Sequence, residues 1–81
     1  MQGVFMEIKV CGPGCANCTR AENIVKEAVA DTGIAAEVVK ITDFAEMVKM
    51  GVLSTPAIVI NGTIKCVGRV PMKNEVMEWL T

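Results

Sequence analysis

The sequence predicts one α/β domain whose elements follow the order βαβαββα. Three observations lead to this prediction. Short apolar or alternating segments, typical of strands, alternate with amphipathic segments of helical period. Asn61-Gly62, the strongest two-residue hairpin signal, joins two strands late in the chain. A length of 81 residues is at the small end of what folds alone, so we expect a single domain spanning residues 1–81.

The first three elements are a strand, a helix and a second strand. The first strand is predicted from Phe5 to Val10, where apolar and charged side chains alternate in part. Since Met6 is an alternative start, we interpret residues 1–5 as a dispensable extension. Apolar or small residues recur every three or four positions over residues 18–32, which predicts an amphipathic helix with Gly33 as its stop. Ala36–Ile41 follows as the second strand.

The second half of the chain adds a short helix, a hairpin and a final helix. Asp43 and Glu46 have the spacing of a capping box and begin a short helix that Gly51 stops. The hairpin strands are predicted at Ala57–Ile60 and Thr63–Val67. The final helix has an apolar stripe made of Met72, Val76 and Leu80, with Met77 and Trp79 beside it.

Composition and charge exclude several classes of partner. The formal net charge is −1 and the charges are scattered, so no basic patch is available for nucleic acid. No apolar run reaches the roughly 18 residues of a membrane span. The start of the chain lacks the basic and apolar regions of a secretory signal. We therefore expect a cytoplasmic monomer that binds neither nucleic acid nor membrane.

The four cysteines are spaced for chemistry rather than for a disulfide scaffold. Cys11, Cys15 and Cys18 lie close together and only Cys66 is remote, whereas a scaffold distributes its cysteines among distant loops. The chain has no histidine, which excludes Cys–His nucleophile pairs and zinc sites of the Cys2His2 type. For Cys11 and Cys66 we favour simple burial as small apolar residues.

Cys15 and Cys18 form a C-x-x-C pair between the first strand and the first helix. Gly12-Pro13-Gly14 breaks the chain before them, and Cys18 is predicted in the first helical turn. The positive end of a helix dipole stabilises a thiolate at the first cysteine. The thiolate is the form that attacks a disulfide, and the second cysteine is close enough to resolve the mixed disulfide. The pair therefore indicates thiol–disulfide chemistry, although a C-x-x-C alone also suits metal binding.

With these motifs in this order, the chain resembles the small, glutaredoxin-sized thioredoxin-like proteins known from archaea and bacteria. The motifs that carry the resemblance are Gly14-Cys15-Ala16-Asn17-Cys18, Thr55-Pro56-Ala57, Asn61-Gly62 and Gly68-Arg69-Val70. The resemblance implies a thioredoxin-like fold with a four-stranded mixed sheet flanked by three helices. It also implies that Cys15 is the exposed attacking thiol and Cys18 the buried resolving thiol. Pro56 would follow a cis peptide bond, which turns the Thr55 backbone outward to pair with an extended substrate.

The function that we predict is the reduction of protein disulfides through the Cys15–Cys18 dithiol. The redox-active disulfide is the only redox group expected, since the chain has no room for a flavin or nicotinamide domain. An external dithiol reductase or a low-molecular-weight thiol must then regenerate the pair. Gly12-Pro13-Gly14 and Gly68-Arg69 stand where glutaredoxins carry glutathione-binding residues, which weakens the case for glutathione. We expect a reducing couple, nearer the roughly −270 mV of thioredoxin than the oxidising end of the scale.

The competing hypothesis is a carrier of Cu(I) or Zn(II) that uses the same cysteine pair. Heavy-metal-associated domains also place C-x-x-C between their first strand and first helix, and Cys11 would add a third thiolate. Two features oppose it. Pro13-Gly14 replaces the residues that usually precede the pair, and a helix rather than a strand ends the chain. Redox chemistry with no resident metal is the hypothesis that we favour.

Overall fold

The computed structural model describes residues 6–14 and 16–80, which form a four-stranded sheet and three helices. The elements are β1 (Met6–Cys11), α1 (Ala16–Thr32), β2 (Ala36–Ile41), α2 (Phe44–Lys49), β3 (Ala57–Ile60), β4 (Thr63–Val67) and α3 (Lys73–Leu80). The predicted α/β class and the order βαβαββα are confirmed. The interpretation of residues 1–5 and the candidate thiol Cys15 lie outside the described residues.

The sheet is mixed, and its strands lie in the order β2-β1-β3-β4. β1 pairs in parallel with β2, because α1 crosses over between them, and it pairs antiparallel with β3. The tight connection between β3 and β4 makes that pair antiparallel as well. Asn61 and Gly62 both have positive φ angles, 51° and 84°, which is the backbone of a type I′ turn. The hairpin signal in the sequence is confirmed.

Alternate side chains of the strands contact two separate apolar clusters, one on each face of the sheet. The first cluster joins the sheet to α1 and α3, and its buried members include Ile8, Val10, Val25, Ile58 and Val76. The second joins the sheet to α2 and to the segment after it, through Cys11, Met47, Val52, Ala57 and Val59. Because strand side chains alternate between faces, neighbouring residues such as Val10 and Cys11 belong to different clusters.

The final helix begins later than the apolar stripe indicates. Met72 is 67% exposed, so its predicted place on the buried stripe with Val76 and Leu80 is wrong. It precedes Lys73, the first residue of α3, and its side chain therefore does not belong to the helical face. The Met72 N–H donates instead to Glu75 Oε1 at 3.0 Å, which satisfies one of the free N–H groups at the helix start.

The short helix α2 is fixed at its start by the residue that the sequence indicated. Asp43 is the N-cap, and its carboxylate accepts a hydrogen bond of 2.8 Å from the Ala45 N–H. Such a cap is worth about 1 kcal/mol. After the helix the chain turns through Gly51, whose φ is +83°, and returns towards the start of β3. This turn brings the segment of Leu53 and Thr55 past the edge of α2.

None of the helices within residues 6–14 and 16–80 is long and apolar enough to cross a membrane.

Candidate functional site

Cys18 lies where the start of α1 meets the end of β1. It is the third residue of this 17-residue helix, and its side chain is only 1% exposed. Ala16, the residue that follows Cys15 in the sequence, is the first residue of the helix. No acidic side chain occupies the first turn, so the positive end of the helix dipole is not neutralised there. The start of α1 thus provides an electrostatic setting that stabilises a thiolate.

Gly12 is the residue that allows Cys18 to approach the sheet. It directly follows β1 and is held in place by its N–H, which donates to the Ile41 carbonyl at 2.9 Å. A Cβ added to Gly12 would overlap Cys18 Sγ and lie 2.9 Å from Cys18 Cβ. It would also lie 3.9 Å from Thr55 Cβ, so Cys18 and Thr55 converge on the same glycine. Only a residue without a side chain fits between them.

The sequence analysis did not identify this role of Gly12. It treated Gly12 as part of a chain-breaking Gly-Pro-Gly run, which explains a turn but not a close packing contact. The available signal was the position of a glycine directly after a strand and close to a cysteine pair.

Thr55 and Pro56 form the side of the site opposite the helix. The Thr55–Pro56 peptide bond is cis, Pro56 is buried and Thr55 is half-buried. The Pro56 carbonyl accepts a hydrogen bond of 2.9 Å from the Gly68 N–H. Within the described ranges, no hydrogen bond involves the N–H or the C=O of Thr55. The Thr55 backbone is therefore available for pairing with another extended chain, at the place where Cys18 is buried.

The connection between β4 and α3 supports the segment that carries Thr55. Gly68 has a φ of +79°, and a Cβ built on it would lie 3.4 Å from Ser54 Cβ. The sequence analysis expected either a positive φ or a close backbone approach at this glycine, and the structure has both. A side chain at Gly68 would press against Ser54 and so against the segment beside the site.

Arg69 is held in a defined ion pair rather than acting only as a solvated charge. Both of its terminal nitrogens donate to the two carboxylate oxygens of Glu75, each at 2.8 Å. This bidentate pairing and the Met72 N–H lower the pKa of Glu75 to about 2. Since Arg69 directly follows Gly68, the ion pair ties the supporting connection to the first turn of α3.

Cys11 and Cys66 are buried on opposite faces of the sheet. Cys11 belongs to the cluster beneath α2, whereas Cys66 belongs to the cluster beneath α1 and α3. Burial raises the pKa of both thiols, against a smaller opposing effect of Lys9 on Cys11 and of Arg69 on Cys66. Both thiols are therefore weaker nucleophiles than an exposed cysteine, as their interpretation as small apolar residues requires. They cannot meet across the sheet.

Metal-ligating side chains do not cluster in the part of the chain that the structure describes. No group of three or more histidine, cysteine, aspartate or glutamate side chains that could hold an ion occurs within residues 6–14 and 16–80. Cys11, the third ligand considered for a soft-metal site, packs with Met47 and Val59 on the α2 side of the sheet, whereas Cys18 lies on the buried face of α1.

Of the four residues that sequence reasoning assigned to the site, three are described and converge. Cys18, Thr55 and Pro56 surround the end of β1, and Cys15 immediately precedes the described helix in the sequence. A cysteine pair at the start of the first helix, facing a Thr-Pro segment before an antiparallel hairpin, is the arrangement of the thioredoxin-like fold.

Comparison with known proteins agrees with this class. A family model described as a thioredoxin domain matches residues 6–81. The chain is 37% identical over 77 residues to a thioredoxin of Methanothermobacter thermautotrophicus, an alignment that covers 95% of this chain and 100% of that relative. It is 36% identical over 80 residues to a thioredoxin of Methanocaldococcus jannaschii, covering 99% of this chain and 92% of that relative. The chain belongs to the thioredoxin family, whose chemistry is thiol–disulfide exchange.

Proposed function

We propose that this protein reduces disulfides of protein substrates, with Cys15 as the attacking thiol and Cys18 as the resolving thiol. The observation that carries the proposal is the position of Cys18, buried in the first turn of α1 against Gly12 and next to the Thr55 backbone. A resolving thiol must be close to the attacking thiol yet hidden from the substrate. The start of α1 meets both requirements for a cysteine three residues after Cys15.

The reaction proceeds through two exchanges. The Cys15 thiolate attacks one sulfur of the substrate disulfide, forming a mixed disulfide, and the second substrate sulfur leaves as a thiolate. Cys18 then gives up its proton and attacks Cys15 Sγ, which releases the first substrate sulfur as a thiolate. The substrate gains two electrons, and the protein is left with a Cys15–Cys18 disulfide. An external dithiol reductase or a low-molecular-weight thiol returns the two electrons.

The Thr55 backbone orients the substrate in this proposal. Its N–H and C=O have no hydrogen-bond partner among the described residues, and an extended substrate segment would supply both partners as an added strand. Such pairing depends on the main chain and not on side chains, so it suits many protein substrates. We place the activity in the cytoplasm and expect the couple to be reducing, nearer −270 mV than −120 mV.

Trapping of the mixed disulfide tests the assignment of the two thiols. The Cys18→Ser variant, mixed with a peptide that contains a disulfide, should accumulate a 1:1 covalent adduct that mass spectrometry assigns to Cys15 and dithiothreitol releases. The wild-type protein should not accumulate it, because Cys18 resolves it. The Cys15→Ser/Cys18→Ser double variant, which retains the buried thiols Cys11 and Cys66, is the matched control and should form no adduct. An adduct on Cys11 or Cys66 would contradict the assignment.

A further inference from the structure

A groove lies beside Thr55 that the exchange chemistry does not use. It has a volume of about 180 Å³ between α2 and the segment that follows it. We call it the α2 groove, and its lining includes Phe44, Met47, Val48, Val52, Leu53 and Thr55. Met47 and Val52 are buried and form part of the core on this face of the sheet, so the floor of the groove is fixed by the fold.

The rim of the α2 groove is apolar and exposed. Phe44, Val48 and Leu53 are 63%, 64% and 85% exposed, which places them among the most exposed large apolar residues of the described chain. No residue that lines the groove is charged. Apolar side chains gathered around a depression, rather than scattered singly, are typical of a surface that binds another molecule.

The size of the α2 groove limits what it can hold. Pockets for small molecules usually measure about 300–1,000 Å³, so this groove is small for a ligand of that kind. An interface between two copies of the chain would usually bury about 800 Å² on each partner, whereas three side chains form this rim. A single apolar side chain of another polypeptide is the occupant whose size and chemistry match.

The position of the groove relates that occupant to the proposed substrate. Thr55 both lines the groove and carries the backbone groups that have no partner among the described residues. Where an added strand pairs with an exposed backbone, main-chain hydrogen bonds give affinity and neighbouring pockets for side chains give specificity. Side chains along such a strand lie about 3.3 Å apart per residue, so the groove is within reach of residues close to the substrate cysteine.

We propose that the α2 groove binds one apolar side chain of an extended protein substrate, at a position within two residues of the cysteine that Cys15 attacks. This inference rests on the proposed function and adds a preference among substrates. Burial of a leucine-sized side chain against Met47 and Val52 favours the complex. A polar side chain at the same position would lose its contacts with water and find no partner in an uncharged lining.

Matched peptides test the preference. Each is a short blocked peptide with one cysteine joined to 2-nitro-5-thiobenzoate, and leucine or glutamine occupies in turn each position within two residues of that cysteine. Attack by Cys15 on the peptide sulfur releases the coloured thiolate, since the thiol of lower pKa leaves faster. At one position or more, we expect the leucine peptide to react about tenfold faster than its glutamine counterpart.

Variants identify the α2 groove as the cause. In Phe44→Ser/Leu53→Ser the leucine-to-glutamine rate ratio should fall to about one, because the apolar rim is removed. Both residues are exposed, so the fold should persist, as thermal unfolding would verify. Met72→Ala removes a side chain of similar exposure that does not line the groove, and the ratio should stay near tenfold.

The outcomes separate the two proposals. Equal rates for leucine and glutamine at every position, with release still dependent on Cys15, would overturn the groove inference and leave disulfide reduction intact. Failure of all the peptides to react would overturn both. A wild-type dimer that dissociates in Phe44→Ser/Leu53→Ser, as measured by sedimentation, would show that the groove binds a second copy of the chain and would also overturn the inference.

Discussion

Replacing Cys15 with serine should reduce the rate at which the protein accelerates the reduction of insulin by dithiothreitol to the rate of dithiothreitol alone. A serine hydroxyl does not form an anion near neutral pH and cannot exchange with a disulfide, so the first bond of the cycle does not form. The measurement is the rate at which the insulin chains separate and aggregate. Residue 15 is the only attacking thiol in this account, and the expected loss is therefore complete.

Two single-cysteine variants provide the control for this result. Cys11→Ala and Cys66→Ala remove buried thiols whose pKa is raised, and each should retain insulin reduction at close to the wild-type rate. Substantial activity in Cys15→Ser, or loss of activity in Cys66→Ala with the fold intact, would show that a different thiol carries the reaction.

Replacing Gly12 with alanine should both destabilise the reduced protein and slow insulin reduction. The new Cβ would overlap Cys18 Sγ, and Gly12 cannot withdraw because its N–H is bonded to the Ile41 carbonyl. Overpacking of this kind costs about 1–3 kcal/mol. If relaxation moves Cys18 by about 1 Å, the resolving step loses on the order of 100-fold in rate. Denaturant unfolding and the insulin assay measure the two effects.

A double-mutant cycle connects the stability effect to the sulfur atom. In the Cys18→Ala background the overlapping Sγ is absent, so Gly12→Ala should cost clearly less free energy of unfolding than in the wild type. An equal cost in both backgrounds would mean that the glycine serves the backbone and not the packing of Cys18.

Much of the fold follows from local patterns in the sequence. The predicted bounds of β2, β3 and β4 match the structure, because alternation, the Asn61-Gly62 turn and Gly51 mark their ends clearly. The end of α1 at Thr32 also matches, since Gly33 adopts a positive φ of 69° there. Met72 was misplaced because apolar spacing alone does not show where a helix begins. Its start depends on the Glu75 side chain, which bonds back to the Met72 N–H.

The candidate site was less accessible to sequence reasoning. Motifs identified Cys18, Thr55 and Pro56, because each of these residues carries recognisable chemistry at a recognisable place in the element order. The role of Gly12 depends on how α1 packs against the end of β1, which is a contact between distant elements. The α2 groove likewise requires that Leu53 and Phe44 meet across the turn at Gly51, and helical period does not predict this.

The most direct test of the central claim is the midpoint potential of the Cys15–Cys18 couple, measured on metal-free protein in which Cys11 and Cys66 are alanine. The fraction of disulfide, determined by alkylation and mass spectrometry across dithiothreitol redox buffers, should follow one two-electron couple near −270 mV. The wild-type protein should give the same potential, and Cys15→Ser should show no such couple. A potential near −120 mV would contradict a reducing role. Absence of a stable disulfide, with tight uptake of one Cu(I) or Zn(II) by the reduced protein, would contradict the redox account altogether.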